Sequence, residues 1–530
     1  MDFVLTLHSH LPYVLNHGSW PHGSDWLSEA AIDTYLPILA HLRALEVASV
    51  PAPATICFTP VLANQLAHPT FHRELDRYLD ARIASCDEAA QSLGGDAALA
   101  DVARFWSARL GELRTLWRAI DRDIPGAFRN LAQRGRIELA GGAATHGFLP
   151  LLGRDESIRL QLGLGRREHA RIFGEAADGC WVPECAYRAR GWWQPMPEAP
   201  HPRVRNGVAD FVTEAGYRWF FADAHMAREH GETRTPYRAY TVTTHGPQPD
   251  ASVFIRDQRS SAQVWSRHGG YPGDQWYLEF HKLHYPGGLR LWRVSAPGTD
   301  LGWKQPYVPP NAEGQAREHA RHYAGLLASI AREQHPWGTN LIATPFDTEL
   351  YGHWWFEGTQ FVADLYRALL HHPNVRPITA SEHLAQRPDR PRLALAEGSW
   401  GADGDFSMWL NPRTRWTWLS LWPLEETFWE MAPRLLREPA AHEALAQAAR
   451  TLLLLQSSDW QFIISTGEAT DYADHRFHSH AADLQRILDS LGRGLTTGVF
   501  DEASSIAAEL HARDDVFPDI LPSVAAALGA

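Results

Sequence analysis

The sequence predicts an α/β fold, a barrel of parallel strands followed by a helical domain, on three observations. Short apolar runs recur along the first two-thirds of the chain, and each ends in polar or acidic side chains. Helical patterns fill most of the intervals between them, which makes βα units with parallel strands. Beyond a Pro-rich charged link at 386–398 the apolar period becomes helical throughout.

The apolar runs are "FVLTLHSH" (3–10), "ATICFTP" (54–60), "IELAGGAATHG" (137–147), "GCWVPECAY" (179–187), "YRWFFADAH" (217–225), "LRLWRVSA" (289–296) and "NLIATPFDTE" (340–349). Segments 28–47 and 101–121 carry the helical period between them. Seven or eight such units suggest a barrel, with its active site at the C-terminal ends of the strands. The chain then divides into a first part of the barrel (1–186), a small inserted domain (187–216), a second part (217–390) and a C-terminal helical domain (391–530). The insert is rich in Pro, Arg and Trp. Segment 226–238, "MAREHGETRTPYR", is polar, with Gly231 and Pro236 as bending points, and reads as a mobile loop at the barrel mouth. In the last domain, 424–437, 441–456 and 480–493 place apolar residues at i, i+3 and i+4.

Composition narrows the function. The chain has 530 residues and a formal charge of −13, which argues against a nucleic-acid binder. Its 22 Trp exceed what a core requires, and Trp is a flat platform for sugar rings. Cys57, Cys86, Cys180 and Cys185 show no paired metal spacing and no disulfide framework. No run is long enough to span a membrane, and the N-terminus "MDFVLTLHSH" lacks a signal pattern, so a soluble cytoplasmic protein is expected.

Candidate chemistry clusters at the strand ends. His8 and His10 in "LHSHLPY" leave one strand face, fit for sugar hydroxyls or a metal. His146 follows two glycines in "GGAATHGFLPLL", where a ligand can approach the backbone. Glu184 in "WVPECAYR" ends an apolar run, with Arg188 near enough in sequence to neutralise it. The stretch "ATPFDTELYGHWWFEG" brings Asp347 and Glu349 onto one face. Two carboxylates meeting across a barrel mouth are the parts of a glycosidase, and spacing does not choose between Asp347 and Glu349. Trp400 and Trp409 in "SWGADGDFSMWLNP", with Asp459 in "QSSDWQF", complete the set.

In order along the chain, "HSHLPYV", "GGAATHGFLPLL", "WVPECAYR" and "TPFDTELYGHWWFEG", with the Trp- and Asp-bearing C-terminal segments, resemble glycoside hydrolase family 57, and within it the enzymes that branch 1,4-α-glucans. The resemblance implies an incomplete (β/α)7 barrel, a small inserted domain and a helical domain closing the active site. It also implies retention of configuration, with no metal or other cofactor and an α-glucan such as amylose or glycogen as partner. Carried over by motif, Glu184 becomes the nucleophile and Asp347 the acid/base. His10, His146, Trp265, Trp400, Trp409 and Asp459 line the donor and acceptor sites. Tyr237 becomes the tyrosine of a mobile loop, with Tyr240 as substitute. Alternatives are a same-family α-amylase or 4-α-glucanotransferase, a metal-dependent barrel hydrolase or deacetylase using His8, His10, His146 and Asp347, and a glucan-binding protein without catalysis.

Overall fold

The computed structural model describes residues 1–229, 232–266, 269–296 and 298–529. Its strands are β1 (Asp2–Ser9), β2 (Thr55–Phe58), β3 (Glu138–Gly142), β4 (Gly179–Trp181), β5 (Gly191–Trp193), β6 (Arg203–Arg205), β7 (Trp219–Ala222), β8 (Arg228–Glu229), β9 (Glu232–Thr233), β10 (Tyr240–Val242), β11 (Ala251–Ile255), β12 (Leu341–Asp347) and β13 (Arg376–Pro377). The main sheet runs β10-β11-β7-β4-β3-β2-β1-β12, with β13 also on β1. Every pair in it is parallel except β10 with β11. All eight residues of β1 are buried, as a strand covered on both faces requires.

The sheet curls until β11 and β12 touch, but they form no ladder. A single parallel bridge joins Arg256 to Ala343, with Asp257 N–H donating to the Ala343 carbonyl at 2.9 Å. Pro345, two residues on, turns the same edge towards β11 and has no N–H to offer. The ladder therefore stops there, and no closed barrel forms.

Helices supply the crossovers. A continuous helical run, Ser24–Ala30, a π-helical turn Ala31–Tyr35, and Leu36–Val47, links β1 to β2. Pro60–Leu66, Pro69–Ser92, Ala97–Ala119 and Ile124–Gln133 fill the long β2–β3 connection. Asp155–Phe173 joins β3 to β4 and presses so closely on the sheet that a Cβ on Gly165 would lie 2.0 Å from the Gly142 carbonyl oxygen. The helical region at the C-terminus comprises Arg415–Leu435, His442–Leu455, Asp459–Thr466, Thr470–Thr497, Asp501–His511 and Leu521–Ala527. Every residue of His442–Leu455 from Ala444 onward is buried, so this helix is the axis of that region.

Three expectations change. The run 289–296 is not a sheet strand; it lies in an irregular layer pinned by isolated bridges such as Leu278–Arg293 and Trp292–Pro306. Its place is taken by β11, "ASVFI". The excursion after β4 is the antiparallel hairpin β5–β6, while Val208–Glu214, inside the expected insert, is the crossover helix leading to β7. The glycines of "GGAATHG" make room for protein: Cβ atoms on Gly141 and Gly142 would lie 3.0 Å from the Tyr217 hydroxyl and the Trp181 carbonyl oxygen. Among the described residues no helix is long and apolar enough to cross a membrane.

Candidate active site

The parallel register fixes the first elements of the site. His8 of β1 lies beside Asp347 of β12, so the two strands end together and turn their last side chains outward at one edge. His8, His146 and His10 stack there, with His146 4.0 Å from His10 and 5.0 Å from His8 between ring centroids. Trp181, the last residue of β4, closes the stack against His8 at 4.3 Å. The expectation that His8 and His10 share a face holds, with different consequences for each. His8 is sealed in, while His10 reaches Thr59 through Nδ1 (3.0 Å) and Asp459 through Nε2 (2.9 Å).

Glu184 sits on a single 3-10 turn, Pro183–Cys185, immediately after β4. Its φ of 60° is left-handed, as is that of His146 at 58°. For non-glycine residues this costs about 1–3 kcal/mol each, and such strain concentrates at functional sites. The turn aims the carboxylate at donors from elsewhere in the chain. Trp400 Nε1–H donates to Oε2 at 2.8 Å and Ser458 Oγ–H to Oε1 at 3.2 Å. Burial pushes the Glu184 carboxyl up to about 7; the Trp400 donor opposes this, and the charges of Asp347 and Asp459 add to it. Arg188 does not neutralise Glu184: its guanidinium donates to the carbonyls of Ala189 and Asn206.

The structure separates the two acids of the opening stretch. Glu349 is buried, and its Oε1 accepts from the Tyr35 hydroxyl (2.5 Å) and the His10 backbone N–H (3.2 Å). Tyr35 comes from the π-helical turn, whose extra residue rotates the ring towards β12. Asp347 stays partly open to the cleft, and none of the described side chains donates to it in a hydrogen bond. Burial and the neighbouring charge of Glu349 push its carboxyl up to about 8, against the pull of Arg256. Arg256 stands over the Trp400 ring and pairs with Asp223.

Asp459 is the opposite case. Burial works against its charge, but His10 outweighs it and holds the carboxyl down at about 2. His10, His146 and Asp459 offer ligand atoms within 4.8 Å of one another, the only metal-like group among the described residues. Each ring nitrogen of these histidines already faces a protein partner: Thr59 and Asp459 for His10, Ser458 and His8 for His146. The four groups of the metal alternative, His8, His10, His146 and Asp347, do not converge on one point of this kind.

The tryptophans divide. Trp400 touches Glu184. Trp265 ends the helix Gln258–Trp265, 38% exposed, and meets Trp354 at 6.2 Å between centroids, making an open aromatic pair beside the acid-bearing turn. Trp409 is fully buried, stacked on Phe148 at 4.4 Å, and has no free face for a sugar. Its place as a direct ligand contact is corrected; it forms the floor under Gly401.

Tyr237 rests at the start of β12. Its carbonyl accepts from the backbone N–H groups of Asn340 and Leu341, at the start of β12, and its hydroxyl lies by Asp257. Asp257 in turn bonds Ala343, four residues before Asp347 on the same strand, about 13 Å at the usual strand rise. Tyr240 is buried in β10 and bonds the Thr235 carbonyl at 2.7 Å. The stretch 226–238 leaves the sheet as the hairpin β8–β9, and His230 and Gly231, a presumed bending point, fall outside the described residues.

Sequence reasoning missed Ser458, Arg256 and Tyr35. Ser458 stood beside Asp459 in the motif, but a serine before a helix carries the signal of an ordinary N-cap.

Comparisons with known proteins give the family. The family model described as Glycosyl hydrolase family 57 matches residues 4–396, and the model described as 1,4-alpha-glucan branching enzyme, C-terminal, matches residues 421–524. The chain is 36% identical to a 1,4-alpha-glucan branching enzyme of Thermococcus kodakarensis, over 98% of this chain and 77% of that protein. A solved GH57-type branching enzyme from Pyrococcus horikoshii is similar at a TM-score of 0.92 and 36% identity, over 99% of this chain and 96% of that one. The alpha-amylase AmyC from Thermotoga maritima is similar at 0.84 and 25% identity, over 99% of both chains.

Proposed function

The chain belongs to glycosyl hydrolase family 57, and on that premise we propose that it is a retaining 1,4-α-glucan branching enzyme. The observation that carries the reading is the pair of carboxyls at the C-terminal ends of two parallel strands, Glu184 on the turn after β4 and Asp347 at the end of β12, both raised and neither with a cation in contact. By the family motif Glu184 takes the role of nucleophile, and Asp347, its carboxyl raised by burial and by the charge of Glu349, keeps its proton and is the acid. Asp347 donates its proton to the glycosidic oxygen of an α-1,4 bond while Glu184 attacks the anomeric carbon. The shortened glucan leaves, and a glycosyl ester on Glu184 remains. The 6-hydroxyl of a second glucan then attacks that carbon, Asp347 takes its proton, and Glu184 leaves as carboxylate. Two inversions give an α-1,6 bond. Glu349, engaged by Tyr35 and His10, is not the proton donor in this reading.

His10 and the ionised Asp459 fit sugar hydroxyls beside the nucleophile. Trp265 and Trp354 fit a glucan chain lying along the cleft. Water competes for the ester, so a closing element favours transfer over hydrolysis. We assign that part to the hairpin β8–β9 and to the segment around Trp400. The fold is proposed as an incomplete (β/α)7 barrel, from the seven parallel strands β11-β7-β4-β3-β2-β1-β12 and the Arg256–Ala343 bridge at the seam. The inserted domain reduces to β5–β6, and the helical domain covers the C-terminal strand edge.

A hydrolase or a 4-α-glucanotransferase shares the steps up to the ester, and AmyC keeps the hydrolytic reading in play. Incubation with amylose, followed by linkage analysis and reducing-end assay, distinguishes them. New α-1,6 bonds with few new reducing ends are expected, and a chelator should leave the rate unchanged. Reducing ends alone, or redistributed chain lengths without α-1,6 bonds, would sink the reading.

A further inference from the structure

Ser458 occupies the N-cap position of the helix Asp459–Thr466 but makes no side-chain cap hydrogen bond. Serine at that position ordinarily satisfies one of the free N–H groups of the first turn. Here the hydroxyl lies instead 3.2 Å from Glu184 Oε1 and 2.9 Å from His146 Nδ1. His146 Nε2 in turn lies 3.0 Å from His8 Nε2. His8 Nδ1 is buried and has no partner. The four side chains come from four separate places: the end of β1, the turn after β3, the turn after β4 and the C-terminal helical region.

We propose that His8, His146 and Ser458 form a one-way hydrogen-bond relay that holds and polarises Glu184 as the nucleophile. This rests on the assignment of Glu184 made above. The direction follows from chemistry. A carboxylate only accepts, so Ser458 Oγ–H points to Oε1. The Ser458 oxygen then accepts from His146 Nδ1–H. A neutral His146 with its proton on Nδ1 has a bare Nε2, which accepts from His8 Nε2–H. His8 is left with a bare Nδ1, the one atom that has no partner. The reverse direction would leave a buried N–H there without an acceptor, which costs more than an unused lone pair. Burial and neighbouring imidazoles hold both His8 and His146 well below the ordinary histidine value, so both rings are neutral, as the relay requires.

The residues are positioning residues, acting on the substrate only through Glu184. Their signature is the acid limb of the kcat/KM–pH profile, which reports the free nucleophile. Glu184 is faced by Asp347 from β12, Asp459 from the helical region, His10 after β1 and His146 after β3, with Arg256 behind Trp400. None of these is altered by the variants below. Removing a donor to an anion raises its pKa. Ser458→Ala should therefore move the acid limb up by about one pH unit, a tenfold loss of kcat/KM below the limb. In His8→Phe the ring still stacks on Trp181, but His146 Nε2 loses its donor. The bond that fixed the Nδ1–H tautomer of His146 is then gone, and the Ser458 proton is held towards Glu184 less firmly. His8→Phe should move the limb in the same direction, and should add nothing in a Ser458→Ala background.

The experiment is the pH profile of wild type, Ser458→Ala, His8→Phe and the double variant, with Glu184→Ala as reference. An unmoved limb in Ser458→Ala, with Glu184→Ala inactive, overturns the relay and leaves the nucleophile standing. Full activity in Glu184→Ala overturns the nucleophile itself. Equal shifts from His8→Phe in both backgrounds, or none in either, overturn the part beyond Ser458. Should His8→Phe fail to fold, neutron diffraction on the wild type decides. Deuterium on His146 Nδ1 and His8 Nε2 is expected; deuterium on His146 Nε2 overturns the direction.

Discussion

The two edges of the sheet treat the same chemical group in opposite ways. At the N-terminal edge, Asp2 of β1 is buried, but His383 (2.9 Å) and Arg376 (2.6 Å) sit on its two oxygens. Burial works to raise it, and these partners outweigh burial and hold it below the usual carboxylate range. At the C-terminal edge, Glu184 and Asp347 are partly open to the cleft but have no cation in contact, and both carboxyls rise. An acid buried with its counter-ions serves the fold. An acid without them is held at a cost in stability, and where it also opens on the cleft, as Glu184 and Asp347 do, a catalyst can use it.

Five changes probe that contrast, taken from the largest expected effect downwards. Glu184→Ala should lower branching by roughly 10⁴-fold or more while the protein stays folded. Asp347→Asn should cost about 10²–10³-fold, and Glu349→Gln clearly less, because Glu349 is engaged by Tyr35 and His10. The reverse order would transfer the acid role to Glu349. Asp347→Asn also has a stability signature. The folded wild type keeps a proton that the unfolded chain gives up near pH ~4, so its stability falls as pH rises towards about 8. The asparagine variant lacks this loss and should melt higher than wild type at pH ~8, by on the order of 1 kcal/mol.

Asp2→Asn should do the converse: destabilise by about 1–3 kcal/mol at neutral pH with no movement of either limb of the activity profile. Because the Asp2 pKa is depressed, its contribution is present above the unfolded value and fades as pH falls through the folded one. The melting temperatures of Asp2→Asn and wild type should therefore converge in acid. Tyr237→Ala, docked at the wrong end of β12, should leave the ratio of α-1,6 bonds to reducing ends unchanged; a fall in that ratio would bring the tyrosine back to the cleft.

Much of this was legible in the sequence, because strand ends announce themselves where an apolar run meets polar residues. β1, β3, β4 and β12 all do so: His8 and Asp347 lie at the ends of β1 and β12, and His146 and Glu184 in the turns after β3 and β4. The failures have one physical origin. Periodicity reports which side chains are buried, not what backbone they hydrogen-bond to. The segment 289–296 alternates because Leu289 and Leu291 are buried, yet it finds only isolated bridges, while "ASVFI" was too short to stand out. Trp400 and Trp409 share one motif, and only Phe148 beneath Trp409 separates a ligand contact from a floor. Ser458 carried no signal of its own, because a helix cap and a donor to a carboxylate use the same hydroxyl.

The measurement that bears most directly on the contrast between the two edges is the identity of the residue that carries the sugar. In Asp347→Ala, an activated α-glucosyl donor should still form the ester, while its breakdown, which needs the base, is slowed. Rapid quenching, proteolysis and mass spectrometry should then find one hexosyl residue on the peptide that contains Glu184. A hexosyl group on a peptide carrying Glu349, or no covalent adduct alongside product of inverted configuration, would contradict the account.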